Sequence, residues 1–270
     1  MMDVDRIWGF LSPATRARIE EQERESAKRL FKAHGQKWDP LKTKFEERIA
    51  LDGDHYNEWL KPFRIFDTKP VKLFGRKEVR NAVRTSPAGK WGYSNRILPE
   101  WTWLETRQGH RNGKVVFNKP VVIPTLSMLP SATTMASCTP MEMFTQRQGY
   151  RLATGTVLIG GLGLGMFLRI VAAKKSVKHI IVVEVSEDLL DWYGHKLCEE
   201  IERDTSTPID VICDDVWKHV GQHGADTRHL LDIWEGYPTY MYELAKEHAK
   251  LAREVKYFWG WGLLADPNDY

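Results

Sequence analysis

The segment VLIGGLGLG at 157–165 sets the strongest limit on what this chain can fold into. A short apolar run that breaks into alternating glycines suits a buried strand turning sharply into a helix. Glycine reaches positive φ without a Cβ clash, lets the backbone approach a ligand closely, and leaves helix N-terminal N–H groups aimed at it. The chain beyond this turn alternates apolar runs with helical spacing. Val157 to Ile159, His179 to Val185, Ile209 to Cys213, Arg228 to Ile233 and Val255 to Trp261 read as strands. Between them fall helices through Phe167, Ile170 and Val171, through Leu189, Leu190, Leu197 and Ile201, and through Met241, Leu244, Ala245, His248 and Leu251. The expected fold class is α/β: a Rossmann-like, mainly parallel sheet of about five strands with helices on both faces, behind a helical and irregular N-terminal extension.

The spacing of the turn narrows its ligand. A dinucleotide fold wants G-x-G-x-x-G, whereas Gly161, Gly163 and Gly165 make G-x-G-x-G and Met166 stands where the last glycine belongs, which argues against a pyrophosphate cradle. Glu184 ends the second strand, 23 residues after Gly161, where a carboxylate accepts hydrogen bonds from both hydroxyls of a ribose. Asp214 and Asp215 end the third strand and Asp232 the fourth, placing acids along the edge where open α/β sheets bind ligands.

Upstream the signals differ. The net charge of +3 divides into +9 over residues 1–150 and −6 over residues 151–270. Ser12 and Pro13 open a helix that Gly35 closes, with a thin apolar stripe expected of a peripheral element. Asp39 and Pro40 predict a second helix presenting Leu41, Phe45 and Ile49 on one face, broken at Asp52-Gly53-Asp54. Residues 61–119 carry fourteen Lys or Arg against four Asp or Glu, interleaved with Phe63, Phe66, Phe74, Trp91, Tyr93, Trp101, Trp103 and Phe117. Either this is a positive surface that holds phosphates and stacks bases, or the aromatics fill a small core under a solvated basic face. Val115–Phe117 and Val121–Ile123 read as a strand pair. Thr139, Pro140 and Glu142 predict a capping box, which explains Glu142 without a cofactor contact, and Gln146 one turn later lies on the surface or, in the alternative, within reach of the ligand. The expected divisions are a helical extension at 1–60, a basic aromatic segment at 61–135 and a Rossmann-like domain at 136–270.

Three scattered cysteines suit a reducing cytoplasm rather than a disulfide framework, and His219, His223 and His229 lack the partners of a metal site. No apolar run is long enough for a membrane span, and the first twenty residues lack a secretory h-region.

With these features in register, residues 157–261 resemble the core of class I S-adenosylmethionine-dependent methyltransferases, and within them the spermidine synthase-related branch. VLIGGLGLG at 157–165, VVEVSEDLL at 182–190, DVICDDVW at 210–217 and LLDIWEG at 230–236 carry the resemblance. It implies a cofactor, S-adenosylmethionine, in the glycine turn of Gly160, Gly161, Gly163 and Gly165. Gly161 and Gly163 would flank the methionine portion, Glu184 would hold the ribose, Asp215 would bind the adenine amino group with Val216 beside the ring, and Asp232 would stand at the reaction centre. It also implies a runner-up chemistry. Aminopropyltransferases of this branch hold and deprotonate an amine with an acidic pair, here Asp232 and Glu235, and use decarboxylated S-adenosylmethionine. Their glycine turn contains an aspartate where this chain has Leu164, which ranks methyl transfer first. A third reading is a non-catalytic nucleoside-fold module whose basic segment 61–119 binds nucleic acid or protein. Nine residues follow Trp261, so the sixth and seventh strands of the full methyltransferase fold are not expected, and either the N-terminal half supplies the missing wall of the substrate site or that site is open or absent.

Overall fold

The computed structural model describes residues 12–72, 83–108, 111–131, 133–233, 253 and 255–260. Helix α1, Pro13–His34, starts where its cap predicts: the Ser12 hydroxyl accepts the Thr15 N–H at 3.1 Å, and Gly35 ends it. Only Ala27 is fully buried on α1, so the helix is peripheral, lying with Trp101 and Trp103 over Ala50 and Val116.

The predicted second helix is not formed. Asp39 instead closes a turn, accepting the N–H groups of Leu41 and Lys42 at 2.9 Å, and Arg48–Leu51 is strand β1. The Leu41, Phe45, Ile49 spacing fits a helix, but Ile49, Ala50 and Leu51 are consecutive and all buried, which only a strand covered on both faces permits. Helix α2, Gly53–Leu60, begins at the triplet read as a breaker, because the Asp52 carboxylate caps it by accepting the His55 N–H at 2.9 Å.

The next stretch is sheet rather than irregular structure: β2 Val71–Lys72, β3 Arg84–Thr85, β4 Trp91–Leu98, β5 Leu104–Gln108, β6 Arg111–Phe117, β7 Val121–Met128 and β8 Thr133–Ser137. Strands β1-β6-β5 form one sheet and β2-β4-β7-β8 another, with β3 beside β4. The two apolar runs expected to pair, in β6 and β7, therefore belong to different sheets. Among the described aromatics of this segment Phe63, Tyr93 and Phe117 are buried, Phe66 and Trp91 pack against the same core, and Trp101 and Trp103 pack against the smaller cluster of Ala27, Ala50 and Val116; Phe74 lies outside the described residues.

Helix α3, Pro140–Leu152, leads into the central sheet of β9 Gly155–Gly160, β10 Val177–Glu184, β11 Ile209–Cys213, β12 Arg228–Leu231 and β13 Phe258–Gly260. All neighbours are parallel, in the order β11-β10-β9-β12-β13. Helix α4, Met166–Ala172, connects β9 to β10. Helix α5 follows β10, opening at Glu187–Leu189, passing through a π turn at Leu190–Gly194 and continuing through His195–Thr205. One sheet face, with Val157, Ile159, Ile180 and Val182, packs on Phe144 of α3, Phe167 of α4 and Ile201 of α5. The opposite face, with Leu158, Ile181, Val183 and Leu231, is covered by Val216 and, partly exposed, by Trp217 and Val220. The helix expected at Met241–Leu251 lies outside the described residues.

The N-terminal sheets and the central sheet share one continuous core. Polar ties reinforce it. The Tyr56 hydroxyl donates to the Cys138 carbonyl at 2.8 Å, the Trp91 indole N–H to Ser186 Oγ at 2.7 Å, and Arg147 of α3 to the carbonyls of Pro40 and Thr43 at 2.8 and 2.6 Å. Among the described residues no helix is long and apolar enough to cross a membrane.

Candidate functional site

The strand order reverses between β9 and β12: from β9 the chain builds outward through β10 and β11, and from β12 through β13 in the other direction. Such a reversal in a parallel sheet marks the carboxyl ends of the two strands as the place where open α/β folds bind ligands. Gly160 ends β9 and Asp232 follows β12, and the Asp232 N–H donates to the Gly160 carbonyl at 2.9 Å. Gly161 has φ +84°, and a Cβ there would sit 2.5 Å from the Asp232 carbonyl oxygen, so both conformation and space demand glycine. Gly163 also has positive φ, +52°, and its carbonyl accepts the Tyr193 hydroxyl at 2.5 Å, which pins the turn to the π segment of α5. Gly165 caps α4.

Glu184, only 7% exposed, joins this turn to the end of β10. One carboxylate oxygen accepts the Leu162 N–H and the other the Ser186 N–H, each at 2.9 Å. Burial raises its pKa, and these N–H bonds pull it partly back. A carboxylate has about four lone-pair positions, so further acceptor capacity remains for hydroxyl donors. Asp215 is exposed and caps the short 3₁₀ turn Val216–Lys218 by accepting the Trp217 N–H at 3.1 Å, while Val216 is buried against the sheet. Asp214 is the ion-pair residue of the two: Lys218 at 2.7 Å holds its carboxyl at about 2.

Of the two positions expected for Gln146, the surface one is not found: it is 3% exposed, and its Nε2 donates to Asp232 Oδ2 at 2.7 Å while its Oε1 has no partner among the described residues. The capping box does not form either: Thr139 makes no side-chain cap, and Glu142 Oε1 instead accepts the Ser137 N–H at 2.7 Å and the Ser137 hydroxyl at 2.5 Å. Ser137 ends β8 with these donors available beside the helix start, and they outcompete the box. Burial pushes Glu142 up to about 8, with Ser137 opposing and Asp232 adding to the shift; burial likewise raises Asp232 to about 6, with Gln146 opposing. The i, i+4 spacing of Glu142 and Gln146 just before β9 was the visible signal for one helix face turned to the site.

Glu235, paired with Asp232 in the sequence reading, lies outside the described residues, as do Trp234 and Trp261. Trp259 packs in the core on Phe167. His219 and His223 stack with ring centroids 5.6 Å apart, and His229 accepts the Gly221 N–H. Among the described residues no group of His, Cys, Asp and Glu is arranged to hold a metal.

A parallel sheet of this order, with an acid at the end of its second strand and a glycine turn after its first, defines a Rossmann-like protein with a candidate ligand crevice. No protein-family model matches the chain, and no curated protein does. Among solved structures it is similar to spermidine synthase from Thermotoga maritima, at 15% identity over 57% of this chain and 54% of that one, with a TM-score of 0.32. It is also similar to Delta(1)-pyrroline-2-carboxylate reductase from Thermococcus litoralis, solved with NADH and L-proline, at 10% identity over 69% of this chain and 61% of that one, with a TM-score of 0.27. The chain spans about half the length of the first and under two thirds of the second. The strand order, not these likenesses, defines the fold.

Proposed function

We propose that the chain is an S-adenosylmethionine-dependent transferase that delivers a methyl group to a nitrogen acceptor at Asp232. Gln146 is the observation that carries this reading. Its Nε2 is committed to Asp232, and its buried Oε1 has no donor among the described residues. A buried acceptor left unpaired costs about 1–3 kcal/mol, which a ligand N–H would relieve. Gln146 Oε1 and the Asp232 carboxylate offer acceptors at the carboxyl end of β12, which suits a nitrogen carrying protons.

The residues present fit the cofactor. Glu184 has acceptor capacity for ribose hydroxyls, the exposed Asp215 side chain for an adenine amino group, and Val216 an apolar edge for the ring. Gly161 and Gly163 keep the turn free of side chains on the methionine side, while Gly160 and Gly165 leave room for Leu231 and Leu197 beneath it. When bound, the cofactor supplies a sulfonium-activated methyl group. The chain's own residues manage the acceptor. Asp232, near 6, is mostly ionised at neutral pH and takes a proton from an ammonium, while Gln146 fixes its Oδ2. Glu142, near 8, stays mostly protonated, so the two neighbouring carboxyls carry one charge rather than two.

Calorimetry with the two candidate products tests this. S-adenosylhomocysteine, the product of methyl transfer, should bind in the micromolar range, and methylthioadenosine, the product of aminopropyl transfer, about tenfold or more weaker. The reverse order would overturn methyl transfer in favour of the aminopropyl reaction, and binding of neither would overturn both.

A further inference from the structure

Arg96 in β4 is a half-buried cation that has no counterion among the described residues. Its Nε donates to Ser94 Oγ at 3.5 Å and its Nη2 to Ser127 Oγ at 3.3 Å, both long bonds to neutral hydroxyls. Burial lowers its pKa. A guanidinium has five N–H donors, and a desolvated charge is costly unless paired. Two other inward-reaching arginines have structural duties: Arg147 binds the carbonyls of the turn at Asp39, and Arg64 binds Asn57 and the Val122 carbonyl. Arg96 closes no turn and caps no strand.

Its surroundings are hydroxyls. Ser94, Thr125 and Ser127 are each at most 5% exposed. Ser94 is in register with Thr125, and Thr125 with Ser137, so the three form one row across β4, β7 and β8. Residues opposite each other in antiparallel pairs share a face, and two interstrand spacings make the row about 10 Å long. The row ends at Ser137, whose N–H and hydroxyl hold Glu142; one turn along the same helix Gln146 holds Asp232. The polar row of the N-terminal sheet thus ends at the residue that holds Glu142, one helical turn from Gln146 and Asp232.

We propose that Arg96, with Ser94 and Ser127, binds an anionic group, a carboxylate or a phosphate. The guanidinium fork matches two oxygens of either group, and the rotatable hydroxyls can donate to a third. This site stands on its own residues and does not rest on the transferase reading.

Proton–nitrogen correlation spectra of the arginine Nε groups test it on the full chain, with sodium acetate or inorganic phosphate replacing chloride at constant ionic strength. One Nε resonance, missing in Arg96→Lys, should move saturably at millimolar anion, and Ser127→Ala should weaken the response severalfold; the anion that acts distinguishes carboxylate from phosphate. Absence of a saturable shift with both anions, or the same shift persisting in Arg96→Lys, would overturn the site. Arg96→Met provides a second reading. Removing an uncompensated charge should leave Tm unchanged or higher, whereas a fall like that of a core truncation would make Arg96 a structural residue and overturn the proposal. Neither measurement involves the cofactor, so failure here leaves the transferase reading standing, and failure of S-adenosylmethionine binding leaves the anion result standing.

Discussion

At the scale of single residues, Glu142 has the clearest thermodynamic signature. Its carboxyl sits at about 8 in the fold, against 4.5 for a free glutamate side chain. The native state therefore holds a proton that the unfolded chain releases, so stability is greater at low pH and is lost as pH rises toward the folded value. Urea unfolding should show a loss of about 1 kcal/mol per pH unit between about pH 6 and pH 8, and Glu142→Gln should flatten that slope. An unchanged slope in the variant would show that the proton resides elsewhere. Asp232, raised to about 6, acts with the same sign in a lower window, between its unfolded value and about 6. Neither shift was legible in the sequence. Glu142 satisfies a local capping rule there, and its actual partner, Ser137, reaches it only because β8 ends beside the helix.

Among elements, the glycine turn was the most legible, because its requirement is local. Gly161→Ala should cost about 1–3 kcal/mol, since alanine at φ +84° is strained and its Cβ would press on the Asp232 carbonyl 2.5 Å away. A wild-type Tm for that variant would contradict this geometry. Tyr193→Phe removes the hydroxyl that pins Gly163 and should lower Tm by the equivalent of about 1 kcal/mol, with ligand affinity falling alongside. The strands of the central sheet were legible for a related reason: continuous apolar runs such as Ile180 to Val183 have few alternatives to a doubly covered strand. Strand β1 was not. Leu41, Phe45 and Ile49 mimic a helical face, and what decides the outcome is burial between α1 and the core, a fact of the assembled molecule.

For the whole molecule, the charge division of +9 and −6 suggested two halves with separate tasks, yet one core runs through both. Unfolding followed by far-ultraviolet and near-ultraviolet circular dichroism should give a single coincident transition; two separated transitions would mean the halves fold independently. Part of the basic excess is spent internally, on Arg147 and Arg64 holding carbonyls, and Arg96 adds a cation to the N-terminal sheet behind the crevice. The acidic half contributes Glu184 and Asp232 at strand ends, so the site is built from both. The most direct test of this account is calorimetric titration of the intact chain with S-adenosylmethionine. Micromolar binding that weakens by about 30-fold or more in Glu184→Ala is the predicted result, in keeping with about 2 kcal/mol for hydrogen bonds to a charged acceptor. No binding by the intact chain, or equal affinity in the variant, would contradict it.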